Sequence, residues 1–329
     1  VFIGGALTLF AIRAPLLAQG GLFAPISREG SLVLNNLLLV TACAAVFVGT
    51  LYPLALESLT GEKISVGGPF FNYPFVPLIV PLLIAVPFGP MLAWKRGDIA
   101  AAGQRLMAAA ILALVVALAV LAWQQRGPWL APFGIGLGIW LIGGALSEIA
   151  FRVKLFGGSL TDAARRLGNL PRSAFGTAFA HAGLGIVVIG IVATTAWRSE
   201  SILAMKPKES ADIAGYQLTF EGVAPREGPN YRERVGLFKV ARGGQAVTTL
   251  EPSKREFTVE RSSTTEAGIH DSWRGDLYVV LGDPLKDGAY SVRIYFNPLV
   301  RLIWLGAVVM FIGGGLSLIA AVVADFAAG

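Results

Sequence analysis

The sequence predicts a polytopic α-helical membrane protein with a small β-rich domain inserted before the last helix. Three observations predict this fold class. Hydrophobic residues make up 54% of the 329 residues and charged residues only 15%, whereas about 25% of a soluble domain is charged. Six apolar segments reach the roughly 20 residues that a membrane-spanning helix needs. Residues 198–297, in contrast, are polar and contain short alternating or β-branched and aromatic runs, which are typical of β-strands.

The composition excludes several classes of protein. The mean hydropathy of +0.65 excludes a disordered chain, a nucleic-acid-binding module and most soluble enzymes. The single cysteine, Cys43, excludes an intrachain disulfide, and the two histidines, His181 and His270, are too few for a classical His/Cys metal cluster within this chain. The sequence has no Walker loop, HExxH or GxSxG motif. Any chemistry should therefore belong to a bound cofactor.

The predicted spans follow an apolar run at residues 1–12, which we interpret as the end of a further helix. Only residues 124–128 separate the third span from the fourth, which predicts an antiparallel hairpin. Because the chain opens inside an apolar run at Val1, we expect it to be the C-terminal part of a longer protein. The six spans are 31–52, 74–94, 104–123, 129–150, 175–197 and 298–323.

The distribution of lysine and arginine between the loops predicts the orientation of these spans. One set of alternating loops carries ten of these residues and the other set carries two, so the first set should be cytoplasmic. Residues 53–73 and 198–297 then lie on the far side of the membrane. Because 198–297 has 14 basic and 14 acidic residues, the net charge of +6 comes from the cytoplasmic loops. It indicates topology rather than affinity for nucleic acid.

We expect three domains: a helical bundle at 1–197, a β-rich domain at 198–297, and a last helix with a short cytoplasmic tail at 298–329. The middle domain should be a compact β-sandwich or barrel, because turn residues separate its short runs. The predicted strands are 216–223, 235–241, 276–282 and 289–296, with turns at Pro225, Gly228-Pro229, Gly243-Gly244 and Asp287-Gly288.

His181 is the main candidate site residue, because an ionisable side chain inside a membrane span indicates function unless it has a structural partner. It shares a helix face with the small residues Thr177, Ala178, Ala182 and Gly185. Small neighbours leave space for a flat macrocycle, and the imidazole would then bind haem iron. They equally allow another helix to approach closely, in which case His181 is a hydrogen-bonded packing residue. The residues alone leave both interpretations open.

Other candidates carry weaker signals. His270 lies beside Asp271 in a polar stretch, where a solvated histidine is the ordinary case. The loop at 57–73 could line a docking surface, but its aromatic residues favour an interfacial connector. Glu148 is alone near the end of its span, so no pair of carboxylates indicates a proton relay.

Several segments together resemble the CcmF family of cytochrome c-type biogenesis proteins, the haem-lyase component of bacterial System I. They follow the family's order and cover essentially the whole chain. The long, irregular sequence GTLYPLALESLTGEKISVGGPFFN at 49–72 is the most specific of the matching segments. The other matching segments are 23–39 (FAPISREGSLVLNNLLL), 180–191 (AHAGLGIVVIGI), 264–283 (TTEAGIHDSWRGDLYVVLGD) and 295–319 (YFNPLVRLIWLGAVVMFIGGGLSLI).

This resemblance implies a location in the bacterial inner (cytoplasmic) membrane, with residues 198–297 in the periplasm. Family members receive haem b from the chaperone CcmE and attach it to the CxxCH cysteines of apocytochrome c. Subunits that bind apocytochrome c and reduce its thiols, such as CcmH, are further expected partners. The family also holds a b-type haem inside the membrane between two histidines on different helices.

The family's C-terminal haem ligand lies in an AHxG context, which matches His181. The resemblance therefore implies that His181 is the axial ligand of a b-type haem and that Ala182 and Gly185 face the haem. The second ligand, the tryptophan-rich motif and its two flanking histidines belong to the family's N-terminal part. We therefore expect this chain alone to be inactive as a lyase. His270 matches no family histidine and stays unassigned.

Two other classes of function provide alternatives. A secondary membrane transporter predicts inverted repeats and broken, charged helices, and the sequence shows neither. A non-catalytic membrane scaffold would only assemble partners. Both alternatives predict a protein without haem absorbance.

Overall fold

The computed structural model describes residues 2–16, 21–124, 127–259 and 262–328, with side chains described as far as 319. The chain divides into two units, residues 1–105 and 106–329. Within the described ranges the helices are α1 (Phe2–Arg13), α2 (Arg28–Thr60), α3 (Gly68–Ala85), α4 (Ile99–Trp123), α5 (Ala131–Arg152), α6 (Leu160–Gly168), α7 (Arg172–Ala196) and α8 (Arg301–Ala328).

Six helical segments in the described ranges are long and apolar enough to cross a membrane. These segments confirm the predicted polytopic fold class, and α1 confirms the helix expected at residues 1–12. The spans are Arg28–Thr60, Gly68–Met91, Ile99–Trp123, Ala131–Arg152, Arg172–Ala196 and Arg301–Ile319.

In the first unit, α2 is longer than the sequence predicts. The Ser27 side chain accepts a hydrogen bond from the Gly30 amide at 3.0 Å and caps the helix start. Gly61, in the left-handed conformation, ends the helix. The 33 residues of α2 span roughly 50 Å, more than the ~30 Å hydrocarbon core. The predicted loop at 53–73 is therefore wrong for most of its length, because only 61–67 separates α2 from α3.

In the second unit, α4 and α5 form the predicted antiparallel hairpin. A methyl group added to Gly143 would lie 2.9 Å from the Ala109 Cβ, and one added to Gly136 would lie 3.0 Å from the Ala117 Cβ. The contacting residue number therefore rises along α4, from Ala109 to Ala117, while it falls along α5, from Gly143 to Gly136. This is the pattern of two antiparallel helices. Small residues on both helices allow this close approach.

The cytoplasmic loop predicted between the fourth and fifth spans contains α6, which the sequence analysis missed. The Ser159 hydroxyl accepts hydrogen bonds from the amides of Thr161 and Asp162 at the helix start. The helix has only nine residues and one buried side chain, Ala163. Its polar composition resembles that of a loop.

Residues 199–298 form the β-domain, which is a sandwich. One sheet has the order β1-β10-β9-β8, and the other has the order β2-β3-β4-β6-β7 with β5 also paired to β4. The strands are β1 (Ser199–Met205), β2 (Ser210–Ile213), β3 (Tyr216–Glu227), β4 (Tyr231–Arg242), β5 (Gln245–Leu250), β6 (Ser253–Phe257), β7 (Ser263–Glu266), β8 (Gly268–His270), β9 (Gly275–Pro284) and β10 (Tyr290–Pro298).

Both sheets contribute to one buried core, which explains why the alternating runs were visible in the sequence. Leu218 and Phe238 come from one sheet, and Leu277 and Ile294 come from the other. All four predicted strands are present. The predicted turn at Pro225 is wrong, because this residue lies inside β3 and pairs with Arg234 of β4. The three-domain division at 197 and 297 stays a prediction.

Glu233 is a buried charge of the β-domain with hydrogen bonds to both of its carboxylate oxygens. Its side chain is 1% exposed. The guanidinium groups of Arg226 and Arg255 donate to it at 2.5 and 2.8 Å, and the Ser253 hydroxyl donates at 2.8 Å. Burial acts to raise the pKa of Glu233, but the hydrogen bonds from Arg255, Arg226 and Ser253 outweigh burial and lower the pKa to about 2. The ionised form is therefore part of the native fold.

A substitution at Gly306 of α8 tests whether α7 and α8 approach each other closely. The Cβ of a Gly306→Ala variant would lie 2.5 Å from the Gly183 carbonyl oxygen and 2.7 Å from the Val187 amide nitrogen. We expect destabilisation by about 1–3 kcal/mol because neither helix backbone can yield easily. Thermal unfolding of the purified protein in detergent measures the change. Gly314→Ala is the control, since an added Cβ there meets nothing within 4 Å. Equal melting temperatures for the two variants would contradict the packing.

Glu233→Gln tests the buried ion pairs. At pH 7 we expect the variant to be less stable by about 1–3 kcal/mol, because two arginine donors lose a charged acceptor. A lowered pKa gives stability that is complete above the ordinary glutamate pKa of about 4.3 and is lost as the pH falls through about 2. The difference between variant and parent should therefore shrink over that window.

Hydrogen exchange of the β4 and β6 amides, compared at each pH in the intact chain, measures this effect. Glu227→Gln is the control, since Glu227 and its partner Arg232 are both exposed. A difference in stability that persists at pH 2 would show that the charge of Glu233 is not its cause.

Candidate functional site

A stripe of three glycines and one further glycine on α7 hold this helix against two neighbours and so orient the candidate site. Gly176, Gly183 and Gly190 face α8, where added Cβ atoms would lie 2.7–2.8 Å from backbone atoms of Gly313, Gly306 and Ile303. Gly185 faces α5, where an added Cβ would lie 2.6 Å from the Gly138 carbonyl oxygen. The helix is thus held from two sides by backbone contact, as small residues permit.

The α5–α7 pair is antiparallel. Gly134 lies against Val192, and Gly185 lies against Leu141 and Ile142. Residue numbers therefore rise along α5 as they fall along α7. His181 is one helical turn before Gly185 and lies on the same α5-facing side of α7.

The His181 side chain is partly buried. Neither of its ring nitrogens forms a hydrogen bond with another side chain or backbone group among the described residues. A packing histidine in a membrane span would normally have such a partner. A neutral imidazole with a free ring nitrogen can bind haem iron through the lone pair of that nitrogen. The residue therefore fits the role of an axial ligand, while the predicted ligation itself stays a prediction.

The residues that share the helix face of His181 differ in their burial and in their contacts. The Thr177 hydroxyl donates to the Ser173 carbonyl of its own helix at 3.0 Å. Ala178 and Ala182 are partly buried. Gly185 is buried against α5, which matches the helix-packing alternative. The predicted haem contacts of Ala182 and Gly185 stay predictions, and for Gly185 such a contact would require α5 to move away.

Glu148 of α5 is the residue of this region that the sequence analysis undervalued. It is 3% exposed. Its Oε1 atom accepts two hydrogen bonds from Arg152, at 2.8 and 3.0 Å. Its Oε2 atom is buried and has no hydrogen-bond partner. The Glu148 carboxylate also interacts electrostatically with the imidazole of His181 on α7.

His270 lies in β8, within the sandwich, and its ring packs edge-on against Tyr216 with 6.0 Å between centroids. Burial raises the pKa of the nearby Asp276, while a hydrogen bond from the Ser272 amide and the charge of His270 oppose this rise. These contacts are structural ones within the β-domain. In the described parts of the chain, no three His, Cys, Asp or Glu side chains converge to hold a bare metal ion.

Comparison with protein families gives one match, the CcmF C-terminal beta-sandwich, over residues 196–298. This range coincides with the β-domain and the connection that leads into it from α7. The match independently identifies the two-sheet architecture described above.

Curated relatives extend the similarity to almost the whole chain. The cytochrome c-type biogenesis protein CycK of Bradyrhizobium diazoefficiens is 55% identical over 97% of this chain and 48% of its own length. The cytochrome c-type biogenesis proteins CcmF of Pseudomonas aeruginosa and Escherichia coli are 38% and 36% identical, each over 96% of this chain and 47% of its own length. The chain therefore spans about half the length of the curated relatives it matches.

One solved structure, titled cytochrome c heme lyase CcmF, has the same fold. Its TM-score is 0.70 at 23% identity, over 90% of this chain and 46% of the matched chain. Because the match covers 90% of this chain, the similarity of fold extends beyond the sandwich to the helices.

Proposed function

Because the chain belongs to the CcmF family of cytochrome c-type biogenesis proteins, of which it corresponds to the C-terminal part, we propose that it acts in cytochrome c maturation as part of a haem lyase. In this proposal His181 is one axial ligand of a b-type haem inside the membrane. The second ligand belongs to a part of the protein outside this chain.

The observation that supports this role best is the state of the His181 imidazole. It lies within the apolar helix α7, is partly buried and has no hydrogen-bond partner among the described residues. An unsatisfied imidazole in hydrocarbon is costly. Coordination to iron through one ring nitrogen would satisfy it.

The residues of this chain would hold and shield the cofactor. Contacts of Gly183 with α8 and of Gly185 with α5 keep α7 from rotating, so the His181 ring keeps one direction. The surrounding apolar helices exclude water from the ring. When bound, haem would supply one-electron chemistry, which suits keeping a second haem reduced while it is attached to a protein.

We place the β-domain in the periplasm and the helices in the bacterial inner membrane. The predicted excess of Lys and Arg lies in the opposite loops. The sandwich joins the far ends of α7 and α8 directly: the Thr194 hydroxyl donates to the Pro298 carbonyl at 3.0 Å, and Arg301 pairs with Asp271. There the domain could contact the haem chaperone CcmE, apocytochrome c, and the apocytochrome-binding and thiol-reducing Ccm subunits such as CcmH.

Replacing His181 tests the proposal. In the intact protein, His181→Ala should lose most of the reduced Soret and α-band absorbance of the b-type haem, because one axial ligand is absent. The absorbance spectrum of the dithionite-reduced, purified protein measures this loss. For a His181→Gly variant, imidazole added to the buffer should restore part of the absorbance by replacing the missing ring.

His270→Ala is the matched control, since His270 is the other histidine of the chain and packs within the sandwich. It should keep its pigment. Unchanged pigment in His181→Ala would overturn the proposed ligation. An intact parent protein that purifies without a Soret band would favour the scaffold or the transporter.

A further inference from the structure

We propose that Glu148 positions His181: its Oε2 atom accepts a hydrogen bond, directly or through one water, from the imidazole nitrogen that does not bind iron. This inference rests on the proposed ligation by His181. It gives a function to a buried carboxylate for which neither the fold nor the family comparisons account.

The first argument is the incomplete satisfaction of Glu148. A carboxylate has two acceptor oxygens, and Arg152 occupies only Oε1. Oε2 is buried without a partner in a side chain that is 4% exposed. Leaving a buried charged acceptor without a hydrogen bond is costly. A protein seldom retains such an atom inside a membrane span unless it has a use for it.

The second argument is the packing of the two helices. Leu141 and Ile142 contact Gly185. Glu148 lies two turns after Leu141 on the same face of α5, and His181 lies one turn before Gly185 on the α5-facing side of α7. Because the helices are antiparallel, both displacements run toward the same end of the pair. The electrostatic interaction between Glu148 and His181 agrees with this placement.

The third argument is that nearby groups are already engaged. The Thr177 hydroxyl is bonded to the backbone of its own helix, and the Arg152 guanidinium donates to Oε1. The His181 ring and the Glu148 Oε2 atom are the unsatisfied donor and acceptor that remain in this described region. Their chemistries are complementary, since a neutral imidazole that gives one nitrogen to iron presents an N–H at the other.

Such a contact would have a defined effect on the site. A carboxylate that accepts a hydrogen bond from a metal-bound histidine fixes the tautomer and orientation of the ring and makes it a stronger electron donor. A stronger donor favours oxidised iron. Glu148 would therefore lower the reduction potential of the haem without touching the iron.

Glu148→Gln in the intact protein tests this inference. The substitution keeps the size of the side chain and an oxygen for Arg152, but it places an NH₂ donor where Oε2 was. We expect haem content near that of the parent. At an ambient potential close to the parent midpoint, the ratio of reduced to oxidised haem should rise roughly tenfold, which is about 59 mV for a one-electron couple. Spectroelectrochemical titration of the Soret band measures the ratio.

Asp162→Asn is the matched control, because it removes the same charge from an exposed carboxylate of α6 that pairs with Arg165. It should leave the potential unchanged. Glu148→Asp keeps the charge on a shorter side chain and should move the potential back toward that of the parent. This pattern would support a positioning role, which a purely structural role would not produce.

The failures of the two proposals can be told apart. Pigment that survives His181→Ala overturns the ligation itself. Pigment that depends on His181, with equal potentials for Glu148→Gln and the parent, overturns the role of Glu148 alone. Loss of pigment in both Glu148→Gln and Glu148→Asp also overturns it, since Glu148 would then serve only to hold Arg152 and the fold of α5.

Discussion

The contact of the α7 backbone with two neighbouring helices is the constraint on which the site depends. In a membrane, apolar side chains gain little from leaving lipid for protein, so close van der Waals packing has to hold helices together. Gly183 against α8 and Gly185 against α5 provide that packing at carbonyl-to-glycine distance. A rotation of α7 by one residue, about 100°, would place side chains at both contacts. The direction of the His181 ring therefore follows from glycines that carry no chemistry of their own.

The same helix connects the candidate site to the β-domain through a connection of two residues. Only residues 197 and 198 separate α7 from β1, and only 299 and 300 separate β10 from α8. Strand β1 pairs with β10 along the whole length of β1, from Ser199 opposite Phe296 to Met205 opposite Tyr290. The two helices that contact each other in the membrane thus continue into two paired strands. The sandwich is an extension of the α7–α8 pair, and its position relative to His181 is set by the roughly 22 Å of helix between His181 and Ala196.

The elements with a clear alternation of hydrophobic residues or a long apolar run could be predicted from the sequence, and the other elements could not. Six spans, the α4–α5 hairpin and the four longest core strands follow from hydropathy and alternation. Helix α6 has only one buried residue, and the helical extension of α2 beyond Pro53 contradicts the usual meaning of proline in a soluble helix. His181 could be singled out as a candidate from its place in an apolar segment. The partnership with Glu148 was not, because it joins residues on two helices whose register depends on glycines at 138 and 185.

The two most buried glutamates among the described residues show why Glu148 is unusual. Glu233 has both oxygens occupied by two arginines and a serine, and its network is complete within the β-domain. Glu148 has one oxygen occupied and one orphaned, although it lies in a less polar region where an unsatisfied charge costs more. Stability alone would favour an apolar residue at position 148, since replacing a buried ion pair with hydrophobic residues is often neutral or stabilising. A carboxylate with an unused acceptor, facing an imidazole with an unused donor, is instead the arrangement expected where a metal ligand must be held in one tautomer and one orientation.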